Sequence, residues 1–472
     1  MGANGMRHLA GGRYHLMLAA ALLLVLAALG GASRADELQQ PLVRAGAILG
    51  VAAALWPLDL AAFRDARAPL IGLGLVYLLL LVQLIPIPPD LWARMPGHGI
   101  YSEVAKQTQT VGWRAWSLSP DLTLNALAAL LPTTAMALLT LALDFRGRLV
   151  LARLIVGIAC FSAVLGMLQF AGGGTSLHLF RTTSENSAVG LFANRNHQAV
   201  LMACALPILA ALVSIRLRQE DVPRPQIGLA LAAGALLLMG VAATGSRMGL
   251  LLGLAGLACA IAIILVTIPK GSFDVSRAAL AVAMLAAGAF VLPLSLLVAR
   301  SGAAQRLAAD PVDETRLAAL GPMLKAARTF FPFGAGFGTF DPVYRRFEPN
   351  GLLSTIYLNQ AHNEPMQLAI EGGAPALILL LVFLIWWVRA AFRAARGLSV
   401  SRRAMGLAMA AATLILMLSS AVDYPLRTLA LQALFGLFCG LLAKAFPPSS
   451  VQRERGRRTM YRDGKGDRAF AA

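Results

Sequence analysis

His362 and Asn363 close a polar stretch, residues 300–361, that interrupts an otherwise apolar chain of 472 residues. They stand in Ala-His-Asn-Glu-Pro-Met-Gln-Leu-Ala-Ile-Glu-Gly-Gly. Asparagine is a good helix N-cap and proline suits a first helical turn, so the histidine is expected just before a helix that starts at the membrane surface. A neutral imidazole there can take a proton from a hydroxyl near neutral pH. The plainer alternative is an interfacial histidine bonded to a loop carbonyl.

Three arginines stand at comparable levels. Arg195 lies between Asn194 and Asn196 in Asn-Arg-Asn-His, Arg247 follows the turn Ala-Thr-Gly-Ser, and Arg316 projects from a short helix in the 300–361 stretch. Forked guanidinium donors bind phosphate oxygens in pairs, so three of them converging would suit a pyrophosphate. Snorkelling to lipid phosphates is the competing reading for each. Gly334, Gly336 and Gly338 follow no strand, which rules against a dinucleotide loop; they let the backbone fold closely. No carboxylate cluster accompanies His197 or His362, so no metal site is expected. No glycosidase-type carboxylate pair is expected either. Asp423 is expected to pair with Arg427 four residues on, as a structural contact.

These residues need elements to hold them. The chain is 58% hydrophobic and only 14% charged, whereas soluble domains carry roughly 25% charged residues. Twelve apolar runs approach bilayer length, at 15–32, 43–62, 68–87, 121–143, 149–170, 196–214, 226–243, 247–268, 277–299, 363–388, 405–422 and 427–446. Strand-like alternation is absent, which excludes a transmembrane barrel. The expected fold is an all-α polytopic membrane protein: one transmembrane domain over 1–446 and a basic, disordered tail over 447–472. The first helix reads as an uncleaved anchor, with a cleaved signal peptide as the alternative.

The net charge of +18 is mainly a topology signal and no sign of nucleic-acid binding. Arg64, Arg67, Arg146, Arg148, Arg216, Arg218 and the cluster from Arg389 to Arg403 fall on one side. That bias puts both termini in the cytoplasm. The opposite side carries three longer segments: 88–120, rich in proline and tryptophan and expected at the headgroup level; 171–195; and 300–361. In the last, a helix is expected over Asp313 to Thr329, with Leu317, Leu320, Leu324 and Ala327 as its apolar face, ended by Pro332. Cys160, Cys204, Cys259 and Cys439 read as small packing residues.

Taken in order, Gln-Leu-Ile-Pro-Ile-Pro-Pro, Gly-Leu-Phe-Ala-Asn-Arg-Asn-His, Thr-Gly-Ser-Arg, Pro-Phe-Gly-Ala-Gly-Phe-Gly-Thr-Phe, His-Asn and Val-Asp-Tyr-Pro-Leu-Arg resemble the O-antigen ligase and O-antigen polymerase (Wzy-type) superfamily of bacterial inner-membrane glycosyltransferases. The resemblance covers roughly 70–445, with the ligase-related region near 190–390, and implies a GT-C-like layout. It further implies an undecaprenyl-pyrophosphate-linked glycan as donor and a lipid A core sugar or growing glycan as acceptor. The reaction would be inverting, on the periplasmic face, without nucleotide sugar or metal. By the same resemblance His362 would be the base, Arg247, Arg316 and Arg195 would hold the pyrophosphate, and Asn363, Gly372, Asn194 and Asn196 would support them. The family's ligase pattern continues from the His-Asn pair to a glycine, here Gly372, and then to Gly, Thr or Tyr, where this chain has Pro375. The alternatives are a polymerase, a protein O-oligosaccharyltransferase or, in another class, a transporter. Against a transporter, no internal repeat or matching pair of broken helices is evident.

Overall fold

The computed structural model describes residues 3–34, 37–56, 63–172, 177–181, 187–218, 224–268, 311–353, 358–397 and 399–444. Helices occupy eleven of the twelve expected segments: α1 (Ala3–Leu29), α2 (Gln39–Ala54), α3 (Arg67–Gln83), the pair α6 (Pro120–Ala129) and α7 (Leu131–Ala142), α8 (Phe145–Gly172), α9 (Arg195–Arg216), α10 (Arg224–Ala243), α11 (Arg247–Thr267), α14 (Glu364–Ala395), α15 (Val400–Ser420) and α16 (Leu429–Ala443). The segment 277–299, the start of the 300–361 stretch and the basic tail lie outside the described residues.

Among the described residues, eight helices are long and apolar enough to cross a membrane, and α1 and α16 add shorter apolar stretches. The protein is thus an all-α, multi-pass membrane protein. Pro132 does not prevent the fourth span: α6 and α7 follow one another directly, with the proline in the first turn of α7. There its missing N–H costs no hydrogen bond.

The centre of the bundle is α9. Most of it is buried, against α8, α10, α11 and α15. Gly249 and Gly256 of α11 allow that approach, because a Cβ on either would sit 2.5 Å from Ala199 or from the Ala203 carbonyl. Small residues at helix contacts are the usual solution where lipid supplies no hydrophobic drive between helices.

A cap of polar segments covers one end of the bundle. It comprises α4 (Pro89–Arg94), α5 (Gly99–Gln107), α12 (Pro311–Phe330), α13 (Phe340–Tyr344) and a two-residue ribbon, β1 (Pro86–Ile87) pairing antiparallel with β2 (Arg114–Ala115). The cap has its own core, in which Ala319, Met323, Ala326 and Phe330 of α12 meet Phe340, Tyr344, Ala361 and Ile370.

Of the apolar residues at helical spacing on α12, Leu317, Leu320 and Leu324 are exposed and only Ala327 is buried. The buried stripe lies alongside, through the smaller residues, which let the helix approach the cap closely. Spacing alone does not choose between two apolar stripes. The tryptophans of the 88–120 segment also divide. Trp113 is exposed, but Trp92 is buried and donates to the Ala115 carbonyl at 2.8 Å.

Candidate functional site

Local sequence fixes the ends of the site helices. Asn363 caps α14, its side chain accepting from Met366 N at 2.9 Å, with Pro365 in the first turn. One residue earlier, His362 has φ +50. Non-glycine residues seldom adopt this left-handed backbone, and doing so costs on the order of 1–3 kcal/mol. The neighbours hold it there: Ala361 N donates to Gln367 Oε1 at 3.0 Å on one side, and the cap follows on the other.

The strained position turns the ring onto Asp423, with His362 Nδ1 3.1 Å from Asp423 Oδ1. Asp423 is 1% exposed, and the His362 side chain 10%. The other carboxylate oxygen accepts from Asn196 Nδ2 at 2.7 Å, and Asn196 Oδ1 accepts from Ser246 Oγ at 2.8 Å. Burial pushes the Asp423 carboxyl up. The His362 hydrogen bond and the nearby His197 and Arg316 outweigh it and hold the group well below the usual carboxylate range. An ionised Asp423 accepts the Nδ1 proton, which leaves the basic lone pair on Nε2.

Tyr424 backs this pair. Its ring stands edge-on to His362, with centroids 4.6 Å apart, and edge-on to His197 at 5.1 Å. Its hydroxyl is hydrogen-bonded to Asn194 and Ser33. Burial, then the Asp423 charge, push the phenol up to about 12. His197 is buried behind it, with Nδ1 2.9 Å from Thr428 Oγ1.

The expected Asp423–Arg427 pair does not form. Residues 421–428 make a turn containing the short 3-10 segment Pro425–Arg427. The four-residue spacing aligns side chains only on an α-helix. Arg427 Nη2 instead donates to Glu371 Oε2 at 3.0 Å, deep in α14. The turn is laced to α14 at three further points: Asn363 Nδ2 to the Ala421 carbonyl at 2.9 Å, Leu426 N to Glu364 Oε1 at 2.8 Å, and the His362–Asp423 contact.

Helix α14 is broken at Gly373, which has φ +58. The carbonyls freed there are satisfied by the Phe-Gly-Ala-Gly loop, with Ala335 N donating to Ile370 O and Gly336 N to Glu371 O, both at 2.9 Å. Gln83, at the end of α3, stitches the same joint, donating to Glu371 O and accepting from Phe337 N. This loop is tightly packed. A Cβ on Gly336 would lie 2.1 Å from Ser117 Oγ, and on Gly372 2.9 Å from the Phe337 ring. The break sets the direction of the first turns of α14, which carry Glu371 and begin two residues after His362.

Of the site residues read from the sequence, His362, Asn363, Asn194 and Asn196 enter this one network. Gly372 lies at the helix break. Arg247 directly follows Ser246, and Arg195 sits between the two asparagines at the start of α9. Arg316, on α12, acts electrostatically on Asp423, His197 and Tyr424. Sequence reasoning missed Asp423 as the partner of His362, Tyr424 behind it, and the Glu371–Arg427 pair. The signal for Asp423 was its place in a polar turn between two apolar helices.

Comparison with curated proteins gives no match. The family model described as O-antigen ligase matches residues 232–381, a stretch that holds Arg247, Arg316, His362 and Gly372 but ends before Asp423. Over these residues, which include the helices and cap segments that carry His362, the chain is similar to O-antigen ligases, a likeness that supports the O-antigen ligase and O-antigen polymerase superfamily.

Proposed function

We propose that this protein is an O-antigen ligase-type glycosyltransferase. It moves a glycan from undecaprenyl pyrophosphate to a hydroxyl of a lipid A core sugar, at the periplasmic face of a bacterial inner membrane. The carrying observation is the buried carboxylate of Asp423 on His362 Nδ1. Such a carboxylate fixes the tautomer and stabilises the imidazolium that forms when Nε2 takes a proton.

In this reading the acceptor hydroxyl gives its proton to His362 Nε2 as its oxygen attacks the anomeric carbon. The bond from that carbon to the pyrophosphate oxygen breaks, and its electron pair leaves with the carrier. Direct attack inverts the anomeric centre. Arg316, with Arg247 and Arg195, holds the diphosphate and offsets the charge that builds on it, the electrostatic work that pre-placed cations do best. The imidazolium then returns its proton to water.

The test is release of undecaprenyl pyrophosphate by the purified protein from lipid-linked donor and core acceptor, with chelator present. No release would remove the assignment. A polymerase that extends the glycan on its own carrier is the second reading, favoured by Pro375 where the ligase pattern has Gly, Thr or Tyr. A strain lacking the gene separates the two. Bare core with accumulated full-length lipid-linked glycan indicates the ligase, and core capped by one repeat unit indicates the polymerase.

A further inference from the structure

A cleft of about 230 Å³ opens between α4, α5 and the chain returning to β2. It shares no lining residue with the His362 network. Arg94, Lys106 and Arg114 line it, with Asp90 as the single carboxylate in its wall. Its floor includes Trp92, Ala93 and Ala105. Arg114 is held in place: its guanidinium lies 5.4 Å from the Trp92 ring centroid, and Nη2 donates to the Thr110 carbonyl and hydroxyl at 2.9 and 3.0 Å. Lys106 is only loosely engaged, 3.7 Å from Glu103 with both side chains exposed.

The surroundings of the cleft are apolar and uncovered. Leu91, Val104, Val111 and Trp113 are all exposed, Trp113 by 68%. The segment starts at Gln83 and ends at Pro120, the ends of two apolar helices of membrane-spanning length. Exposed leucine, valine and tryptophan beside such helix ends suit the headgroup level of a bilayer. Cations in a cleft at that level suit a phosphate carried by a lipid.

We propose that this cleft binds the phosphate headgroup of an anionic membrane lipid, with the acyl chains against Val104, Val111 and Trp113. This site stands whether or not the protein is a ligase, since it needs neither donor nor transfer.

The experiment is native mass spectrometry of the full chain from phosphatidylcholine nanodiscs titrated with phosphatidylglycerol. The wild type should retain phosphatidylglycerol in preference to phosphatidylcholine. The double variant Arg94→Gln/Lys106→Gln alters only exposed side chains and should lower that retention about tenfold or more. Equal retention by variant and wild type would overturn the site, as would a wild type with no preference between the lipids. Glycerol 1-phosphate binding as tightly as the lipid would overturn the membrane source and leave a free-phosphate pocket.

Discussion

His362 Nδ1 lies 3.1 Å from Asp423 Oδ1, although 61 residues and the whole of α14 and α15 separate them in the chain. The contact depends on the turn after α15 being laced back to the start of α14, and on the left-handed backbone at His362. Its consequence is chemical, because it decides which imidazole nitrogen is basic.

His362→Ala should abolish transfer while the protein still inserts and binds donor. Asp423→Asn preserves shape but loses the charge and admits the wrong tautomer, so kcat should fall by about 10²–10⁴-fold with little change in KM. Steady-state kinetics on both variants check this, and full activity in either ends the base assignment.

Asp423 also predicts an acid dependence. Its folded value lies below its unfolded value near ~4. The stabilisation is therefore complete above that value and fades as pH falls toward the folded value. Asp423→Asn should melt at lower temperature than wild type at pH 7, yet lose less on acidification below about pH 4. Parallel melting curves from wild type and variant across that range would contradict the shift.

Glu371 is fully buried, and the Arg427 side chain 20% exposed. Removing one partner strands the other, at a cost of about 3 kcal/mol. Arg427→Ala and Glu371→Ala should each lower thermal stability strongly, and Glu371→Gln/Arg427→Met should recover part of the loss. A Glu371→Ala/Arg427→Ala variant as unstable as the sum of the two alanine singles would show that the two do not interact.

Gly373 has φ +58, and a Cβ there would meet the Pro332 carbonyl at 2.1 Å. Gly373→Ala should disrupt the cap and lose folded protein on size-exclusion chromatography. Gly351 has nothing within 4 Å of its Cβ position. Gly351→Ala should behave as wild type.

For the donor, Arg316→Ala and Arg247→Ala should raise the apparent KM for lipid-linked glycan several-fold more than that for acceptor. The opposite order would contradict the placement of the diphosphate.

Much of this molecule was readable in one dimension. Long apolar runs interrupted by charges have few solutions in lipid, where backbone groups must pair within a helix. Eleven of the twelve runs fall on helices, and the twelfth lies outside the described residues. The Asn363 cap and Pro365 were equally legible, because capping is settled within four residues. The buried face of α12 was not. Two apolar stripes run along α12, and which of them meets the cap core depends on residues far away in the chain.

The sequence by itself determined that this is a multi-helix membrane chain with a histidine at a helix mouth and arginines at similar levels. Tertiary structure alone decided which carboxylate that histidine would meet, and that Arg427 would turn to Glu371. It also decided that Gly373 would break α14 to receive the Phe-Gly-Ala-Gly loop. The reason is physical: helix-forming preferences act over a few neighbouring residues. Polar pairs across 56 or 61 positions depend on how helices pack, and side-chain types along the chain leave that packing open.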